Sequence, residues 1–150
     1  MALVLAEQWL RLPLHLPGWR GGITIALLVA AHRLGPPAFA CAGAAAVALA
    51  FSVSLGSALL PGVFHYLLPA LVLDLCLRRP RPGILGAALV GGLANIARLL
   101  PVLAGSRVPG VSDGMLWFPF STHFLSGACG GLIASLALHF LHTQKHGPHS

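Results

Sequence analysis

The stretch GILGAALVGGLANIARLLPVL, residues Gly83–Leu103, is apolar except for one charged side chain, Arg98. About 20 apolar residues are enough for a helix to cross the hydrocarbon core of a bilayer. An arginine at that depth is unfavourable unless it faces protein, water or an anionic partner, so it is a candidate functional residue by default. The stretch therefore predicts a membrane-spanning helix whose arginine is turned toward a neighbour or a ligand.

The composition of the whole chain agrees with a membrane location. The 150 residues are 57% hydrophobic and 8% charged, with a mean hydropathy of +0.86, whereas soluble domains carry about 25% charged residues. Arg33 and Asp74 bracket forty residues without a formal charge, which is room for two crossings, and Asp113 and Lys145 bracket thirty-one, which is room for one. These features predict an all-α integral membrane protein of the cell membrane.

Glycine, proline and arginine residues divide the chain into five predicted spans, with four and six as the alternatives. The first is short and crosses only if its flanking arginines reach back to the headgroups or the bilayer thins. A sixth span would require Met1–Leu16 to insert. The five predicted spans are Gly21–Ala31, Pro37–Gly56, Ala58–Leu77, Gly83–Leu103 and Phe120–Leu141.

The chain is predicted to be a single membrane domain over residues 1–150. Residues 1–19 form an interfacial N-terminal segment, in which Met1–Leu12 is an amphipathic helix with Trp9 as an interfacial anchor. Residues 143–150 form a polar C-terminal tail.

Orientation follows from the arginine-rich connection between the third and fourth predicted spans. Arg78, Arg79 and Arg81 lie there within an Arg-Pro-Arg-Pro turn, and basic loops are retained on the cytoplasmic side. By alternation the C-terminus is cytoplasmic and the loop Gly105–Phe118 is external. The net charge of +6 does not indicate nucleic-acid binding, because the basic residues are scattered among hydrophobic spans.

Small residues recur every four positions on three of the predicted spans, a spacing that lets helix backbones approach closely. Two interpretations stay open, a tight bundle within one subunit and an alanine-rich face that docks a second membrane protein. The rows are Ala38, Ala42, Ala46 and Ala50; Ala40, Ala44 and Ala48; Gly83, Ala87 and Gly91; Gly127, Gly131 and Ser135; and, beside the last, Ser126, Gly130 and Ala134.

Counting residues from the Arg-Pro-Arg-Pro turn predicts a polar pocket. His65 lies thirteen residues before Arg78, and Asn95 lies thirteen residues after Pro82, so both are about 20 Å from the inner face if the helices are straight. Arg98 is one turn farther out, and the last span begins on the same side. The predicted substrate-binding residues are His65, Tyr66, Asn95, Arg98, Trp117, Ser121, Thr122 and His123.

The chemistry of these side chains suits a small anionic or partly aromatic solute. Arg98 can bind a carboxylate or phosphate in a bidentate manner, and His65 can change charge near neutral pH. Two alternatives remain for Arg98, snorkelling to the outer headgroups and contact with a partner subunit. Asp74 is predicted to pair with Arg78, four residues onward, with a proton-relay role as the alternative.

Metal, haem and enzymatic functions are not predicted. His65 and His123 on separate spans allow a haem ligand pair, but that is a sparse basis. The C-terminal histidines, His139, His142, His146 and His149, are interpreted as part of a frayed polar end. No catalytic triad order, nucleotide-binding glycine loop or paired carboxylates occur in the sequence, so we expect no enzyme activity, no metal and no cofactor.

The segments GILGAALVGGLANIAR, Gly83–Arg98, and FLSGACGGLIASLAL, Phe124–Leu138, resemble the substrate-binding S components of energy-coupling factor transporters. The resemblance implies a compact helical membrane protein that binds a vitamin or related micronutrient near the outer face. It also implies a transmembrane coupling subunit and ATPase subunits as partners, with Pro37–Gly56 similar to the small-residue surface that contacts the coupling subunit. The alternative functions are a small assembly subunit of a larger membrane complex and a haem-binding electron-transfer subunit.

Overall fold

The computed structural model describes residues 19–34, 39–77, 83–103 and 117–145, and every regular element in these ranges is helical. One helix coincides with each of the five predicted spans, so the prediction of an all-α bundle is confirmed for the described residues. The helices are α1 (Trp19–Leu34), α2 (Ala40–Ser54), α3 (Leu59–Leu77), α4 (residues 84–103) and α5 (Trp117–Lys145).

Two of these helices, α3 and α5, are long and apolar enough to cross a membrane by length and composition, while α2 and the regular part of α4 are shorter apolar helices. The helix α5 continues through Lys145, so it includes the first three residues of the predicted polar tail. The predicted interfacial helix, the Arg-Pro-Arg-Pro connection, most of the loop after α4 and the last five residues lie outside the described ranges.

The central layer consists of α1, α4 and α5. Gly22 near the start of α1 packs on Ser126 and Gly130 of α5, and Arg33 near the end of α1 lies with His139 farther along α5, so these two helices run in the same direction. The start of α4 lies with Arg33 and His139 at one end of the bundle, and its later part meets the beginning of α5, so α4 runs antiparallel to both. We call these two ends the Arg33 end and the Arg98 end.

The three central helices contact one another through their backbones. A Cβ atom built on Gly22 would lie 2.6 Å from the carbonyl oxygen of Ser126, and one on Gly91 would lie 2.5 Å from that of Gly127. A Cβ on Gly130 would overlap the carbonyl oxygen of Gly22. The glycines are therefore required for the spacing of α1, α4 and α5. Of the small-residue rows predicted on the last two spans, this contact surface includes Ala87, Gly91, Gly127 and Gly131.

The outside of α4 carries large apolar side chains. Leu85, Leu89 and Leu93 follow one another every four residues and are 77%, 59% and 54% exposed. On the opposite side of the same helix, Ala87 and Ala94 are fully buried. This arrangement, with leucine outside and alanine or glycine inside, is the reverse of the pattern in water-soluble helical bundles.

The two alanine rows predicted on α2 differ in position. The buried face of α2 consists of Cys41, Ala45, Ala48 and Ser52, so the row that contains Ala48 lies near the core. The other row turns outward, since Ala46 and Ala50 are exposed. A Cβ added to the neighbouring Gly43 would meet nothing within 4 Å among the described residues.

The start of α2 is held by a carboxylate from α3. Phe39, which precedes α2, has a left-handed backbone (φ 59°) and no side-chain capping bond. Instead Asp74 accepts hydrogen bonds from the N–H groups of Cys41 (3.1 Å) and Ala42 (2.8 Å), and His32 Nδ1 of α1 lies 3.4 Å from its Oδ1. A carboxylate here satisfies unpaired N–H groups of the first turn and interacts favourably with the helix dipole.

The predicted partner of Asp74, Arg78, lies outside the described ranges. Within them the Asp74 carboxylate links α1, α2 and α3 at the Arg33 end, which gives it a structural role that the local charge pattern did not indicate.

Candidate functional site

Two irregular helical turns meet at the Arg98 end. In α3 the segment Val63–Leu67 is π-helical, and in α4 the segment Ala97–Leu99 is a 3₁₀ turn. Each is followed within two residues by a proline, Pro69 or Pro101, whose missing N–H cannot continue the regular hydrogen-bond pattern. Single π-helical turns of this kind occur frequently at functional sites.

The irregular turns carry His65 and Arg98, and both side chains line one cavity of about 270 Å³ between α3 and α4. Arg98 is only 8% exposed, whereas His65 is exposed and its ring meets that of Tyr66 edge-on, with 5.9 Å between centroids. The remaining lining residues are Leu60, Pro61, Phe64 and Pro101. The structure thus brings together two of the predicted site residues in a mostly apolar cavity.

This cavity is suited to binding an anion. A buried guanidinium has stronger electrostatic interactions than an exposed one, because the surrounding dielectric is low, and it can donate two parallel hydrogen bonds to a carboxylate. The volume is near the lower end of the roughly 300–1,000 Å³ usual for small-molecule sites. Arg98 and His65 are the polar side chains among the described residues that line this cavity.

Trp117 and Ser121 line a different cavity of about 380 Å³, between α4 and α5. Its other lining residues are Ile96, Phe120, Phe124 and Leu125, and Trp117 itself is largely exposed. These two predicted site residues therefore lie beside a different part of α4 from the cavity with Arg98.

Asn95 belongs to the helix interface. Its side chain is fully buried, and its Nδ2 donates to the carbonyl oxygen of His123 (2.8 Å) and to Ser126 Oγ (2.9 Å) on α5. Gly21 of α1 lies against the same amide, and a Cβ at that position would overlap Asn95 Oδ1. A buried amide with interhelical hydrogen bonds is a cross-link between α4 and α5, and the sequence reasoning missed Gly21 and Ser126 as its partners.

The remaining predicted residues make local contacts. Thr122 Oγ1 donates to the carbonyl oxygens of Phe118 (2.9 Å) and Pro119 (3.0 Å), and His123 Nδ1 lies 2.8 Å from the carbonyl oxygen of Pro119. Tyr66 is buried in the core cluster. Polar side chains inside an apolar helix commonly bond to the backbone carbonyl one turn earlier. The position of a residue along the helix axis therefore does not show whether its side chain makes such a local bond or contacts a ligand.

One trio of side chains has the composition of a metal site. The donor atoms of His32, Cys41 and Asp74 all lie within 4.8 Å of one another. Cys41 Sγ donates to the carbonyl oxygen of Leu28 (3.2 Å), and both oxygens of Asp74 accept N–H groups of α2. Helix capping and interhelical bonding therefore account for the positions of Cys41 and Asp74.

Comparison of the chain with protein-family models, with curated proteins and with solved structures finds no match. The function must be inferred from the cavities and buried polar groups of this chain.

Proposed function

We propose that this chain is a multi-pass membrane protein that acts as the solute-binding subunit of an uptake system. The solute is a small anionic organic micronutrient of the vitamin class, and it binds in the cavity between α3 and α4. The observation that carries this proposal is the nearly buried guanidinium of Arg98, which lines that cavity together with His65.

A lipid environment is supported by the distribution of side chains on the helices. Leucines cover the outside of α4, and glycine and alanine fill the interface of α1, α4 and α5. Lipid gives no hydrophobic driving force between helices, so membrane bundles depend on close backbone approach of this kind. The lengths and apolar character of α3 and α5 point in the same direction.

The proposed orientation places the Arg33 end in the cytoplasm. The arginine-rich connection at residues 78–82 joins α3 to α4 at that end, and the positive-inside rule assigns it to the cytoplasmic side. The cavity with Arg98 is then on the external side, as uptake requires, and the C-terminus is cytoplasmic.

The sequence contains no nucleotide-binding glycine loop, so uptake driven by ATP would use the ATPase of partner subunits. We propose a transmembrane coupling subunit and ATPase subunits, as the resemblance to energy-coupling factor S components implies. The outward face of α2 supports a helix-docking role, since Ala46 and Ala50 are exposed there. Gentle purification from the native membrane should therefore recover ATPase subunits in fixed ratio to this chain. Recovery of redox or secretion subunits instead would favour an assembly role.

Substitution of Arg98 tests the binding site. Native mass spectrometry of the gently solubilised protein should show a retained small molecule, and Arg98→Ala should lower its affinity about 5- to 150-fold. This range corresponds to the roughly 1–3 kcal/mol that a hydrogen bond to a charged group contributes. Arg98→Lys should recover part of the affinity, because it restores the charge without the planar donor pair.

Arg20→Gln is the matched control, since Arg20 is exposed and its guanidinium stacks on Trp19 at 5.9 Å, away from the residues that line the cavity. It should leave the affinity unchanged. Equal affinity of the Arg98→Ala variant and the parent protein would contradict the proposed role of Arg98.

A further inference from the structure

A third cavity, of about 430 Å³, lies at the Arg33 end, on the far side of the bundle from Arg98. It is formed where the end of α1, the start of α4 and the second half of α5 meet. Its polar lining consists of Arg33, Ser135, His139 and His142, and its apolar lining of Leu34, Gly83, Ile84 and Leu138. The solute-binding proposal makes no use of this cavity.

The polar lining consists of groups that donate hydrogen bonds to anions. Arg33 is a permanent cation. His139 and His142 stand three residues apart, so they lie on neighbouring positions of one face of α5. Each imidazole donates from at least one nitrogen and becomes cationic when protonated. No carboxylate lines the cavity, and the one acidic residue within the described ranges, Asp74, accepts the amides of Cys41 and Ala42.

The start of α4 adds a partial positive charge to the cavity. Gly83 and Ile84 line the cavity, and no side chain caps the first turn of this helix. The N–H groups of a first helical turn have no partner within the helix, and the helix dipole places partial positive charge there. Helix N-termini bind phosphate groups for this reason.

Ser135 is the second, independent indication of a ligand. Its side chain is only 6% exposed, and its Oγ has no hydrogen-bond partner among the described residues. Buried hydroxyl groups are normally satisfied, and a serine inside a helix usually bonds to the carbonyl one turn earlier. In the cavity wall, the hydroxyl of Ser135 can instead donate to a bound oxyanion.

We propose that this cavity binds a phosphate group, held by Arg33, Ser135, the two histidines and the first turn of α4. A metal ion bound by His139 and His142 is disfavoured because Arg33 in the same lining would repel it. The volume exceeds that of a bare phosphate ion, so the group belongs to a phosphate-bearing molecule, either the headgroup of an anionic phospholipid or a free phosphorylated solute.

The test is a thermal unfolding assay on the full-length protein in a neutral detergent. Ligands that bind only the folded state raise the unfolding midpoint in proportion to their occupancy of the site. Inorganic phosphate is compared with chloride at equal ionic strength, and short-chain phosphatidylglycerol with short-chain phosphatidylcholine. We expect phosphate or phosphatidylglycerol to raise the midpoint above its matched control.

The two comparisons distinguish a free phosphate compound from a lipid headgroup. Stabilisation by inorganic phosphate assigns the site to a free phosphate compound, whereas stabilisation by phosphatidylglycerol alone assigns it to a lipid headgroup. Arg33→Gln should raise the ligand concentration that produces a given shift of the midpoint at least about tenfold, and Ser135→Ala should raise it about threefold. Arg20→Gln removes the same charge from the opposite end of α1 and should respond as the parent protein does.

The proposal fails if neither phosphate nor phosphatidylglycerol stabilises the parent protein, or if Arg33→Gln and Arg20→Gln change the response equally. Should Arg33→Gln not fold, Ser135→Ala decides alone, because this change removes one oxygen atom and adds no bulk. An unaltered phosphate response in the folded Ser135→Ala variant would then overturn the site.

Discussion

Gly130→Ala is expected to lower the free energy of unfolding by about 3 kcal/mol or more, the upper range for overpacked interiors. The new methyl group would overlap the carbonyl oxygen of Gly22, and the next nearest atoms are also backbone atoms of α1. A flexible side chain can rotate away from such an overlap, but a helix backbone can only move as a unit. The whole contact between α1 and α5 must therefore widen.

Unfolding of detergent-solubilised protein, followed by far-ultraviolet circular dichroism, measures this loss. Gly43→Ala is the matched control, because a Cβ at Gly43 meets nothing within 4 Å among the described residues. Since alanine is favoured over glycine inside a helix by about 1 kcal/mol, this control should be neutral or stabilising. Equal stability of the Gly130→Ala and Gly43→Ala variants would show that α1 and α5 do not pack backbone to backbone.

Asp74→Ala is expected to have a comparably large effect, lowering the free energy of unfolding by about 3 kcal/mol, because each buried N–H group left without its acceptor costs about 1–3 kcal/mol. The substitution leaves the N–H groups of Cys41 and Ala42 without their acceptor and His32 without its carboxylate. Asp74→Asn should lose less, because the amide keeps one acceptor oxygen for the start of α2. Ser54→Ala, an exposed change at the other end of α2, should stay within about 0.5 kcal/mol.

A chemical readout localises the effect of Asp74→Ala. Cys41 is buried beside the carboxylate, whereas Cys76 and Cys129 are exposed. With the two exposed cysteines replaced by alanine, Cys41 should react slowly with a maleimide in the parent protein and much faster in the Asp74→Ala variant. Unchanged reactivity and an unchanged unfolding midpoint would together exclude the proposed cap.

Helix content and approximate boundaries were predictable because they depend on hydrophobic run length and on proline and glycine positions. Counting depth along straight helices also placed His65 and Arg98 at similar levels, and both line one cavity. The depth of a residue in the bundle does not show which way its side chain points around the helix axis. Asn95 is one turn from Arg98, yet its amide is buried against α1 and α5.

Two further features depend on contacts between distant residues. The π-helical turn around His65 is a local distortion, and the prolines on either side of it, Pro61 and Pro69, are its signals in the sequence. The partners of Asp74 are backbone N–H groups 32 and 33 residues earlier in the chain, and backbone groups have no sequence signature. Charge spacing predicts a neighbouring arginine as the partner of Asp74, and it gives no sign that the carboxylate also bonds to the first turn of another helix.

The backbone-to-backbone core has a consequence for how this protein can change during evolution. In most folds the interior accepts compensating exchanges of one aliphatic side chain for another. No amino acid is smaller than glycine, so Gly22 and Gly130 cannot compensate for a larger neighbour in this way. Substitutions are instead best tolerated at Leu85, Leu89 and Leu93, whose side chains project outward and can be replaced by other apolar residues. We therefore expect diverged relatives of this chain to retain glycine at the interface positions and to vary among apolar residues on the outer surface of α4.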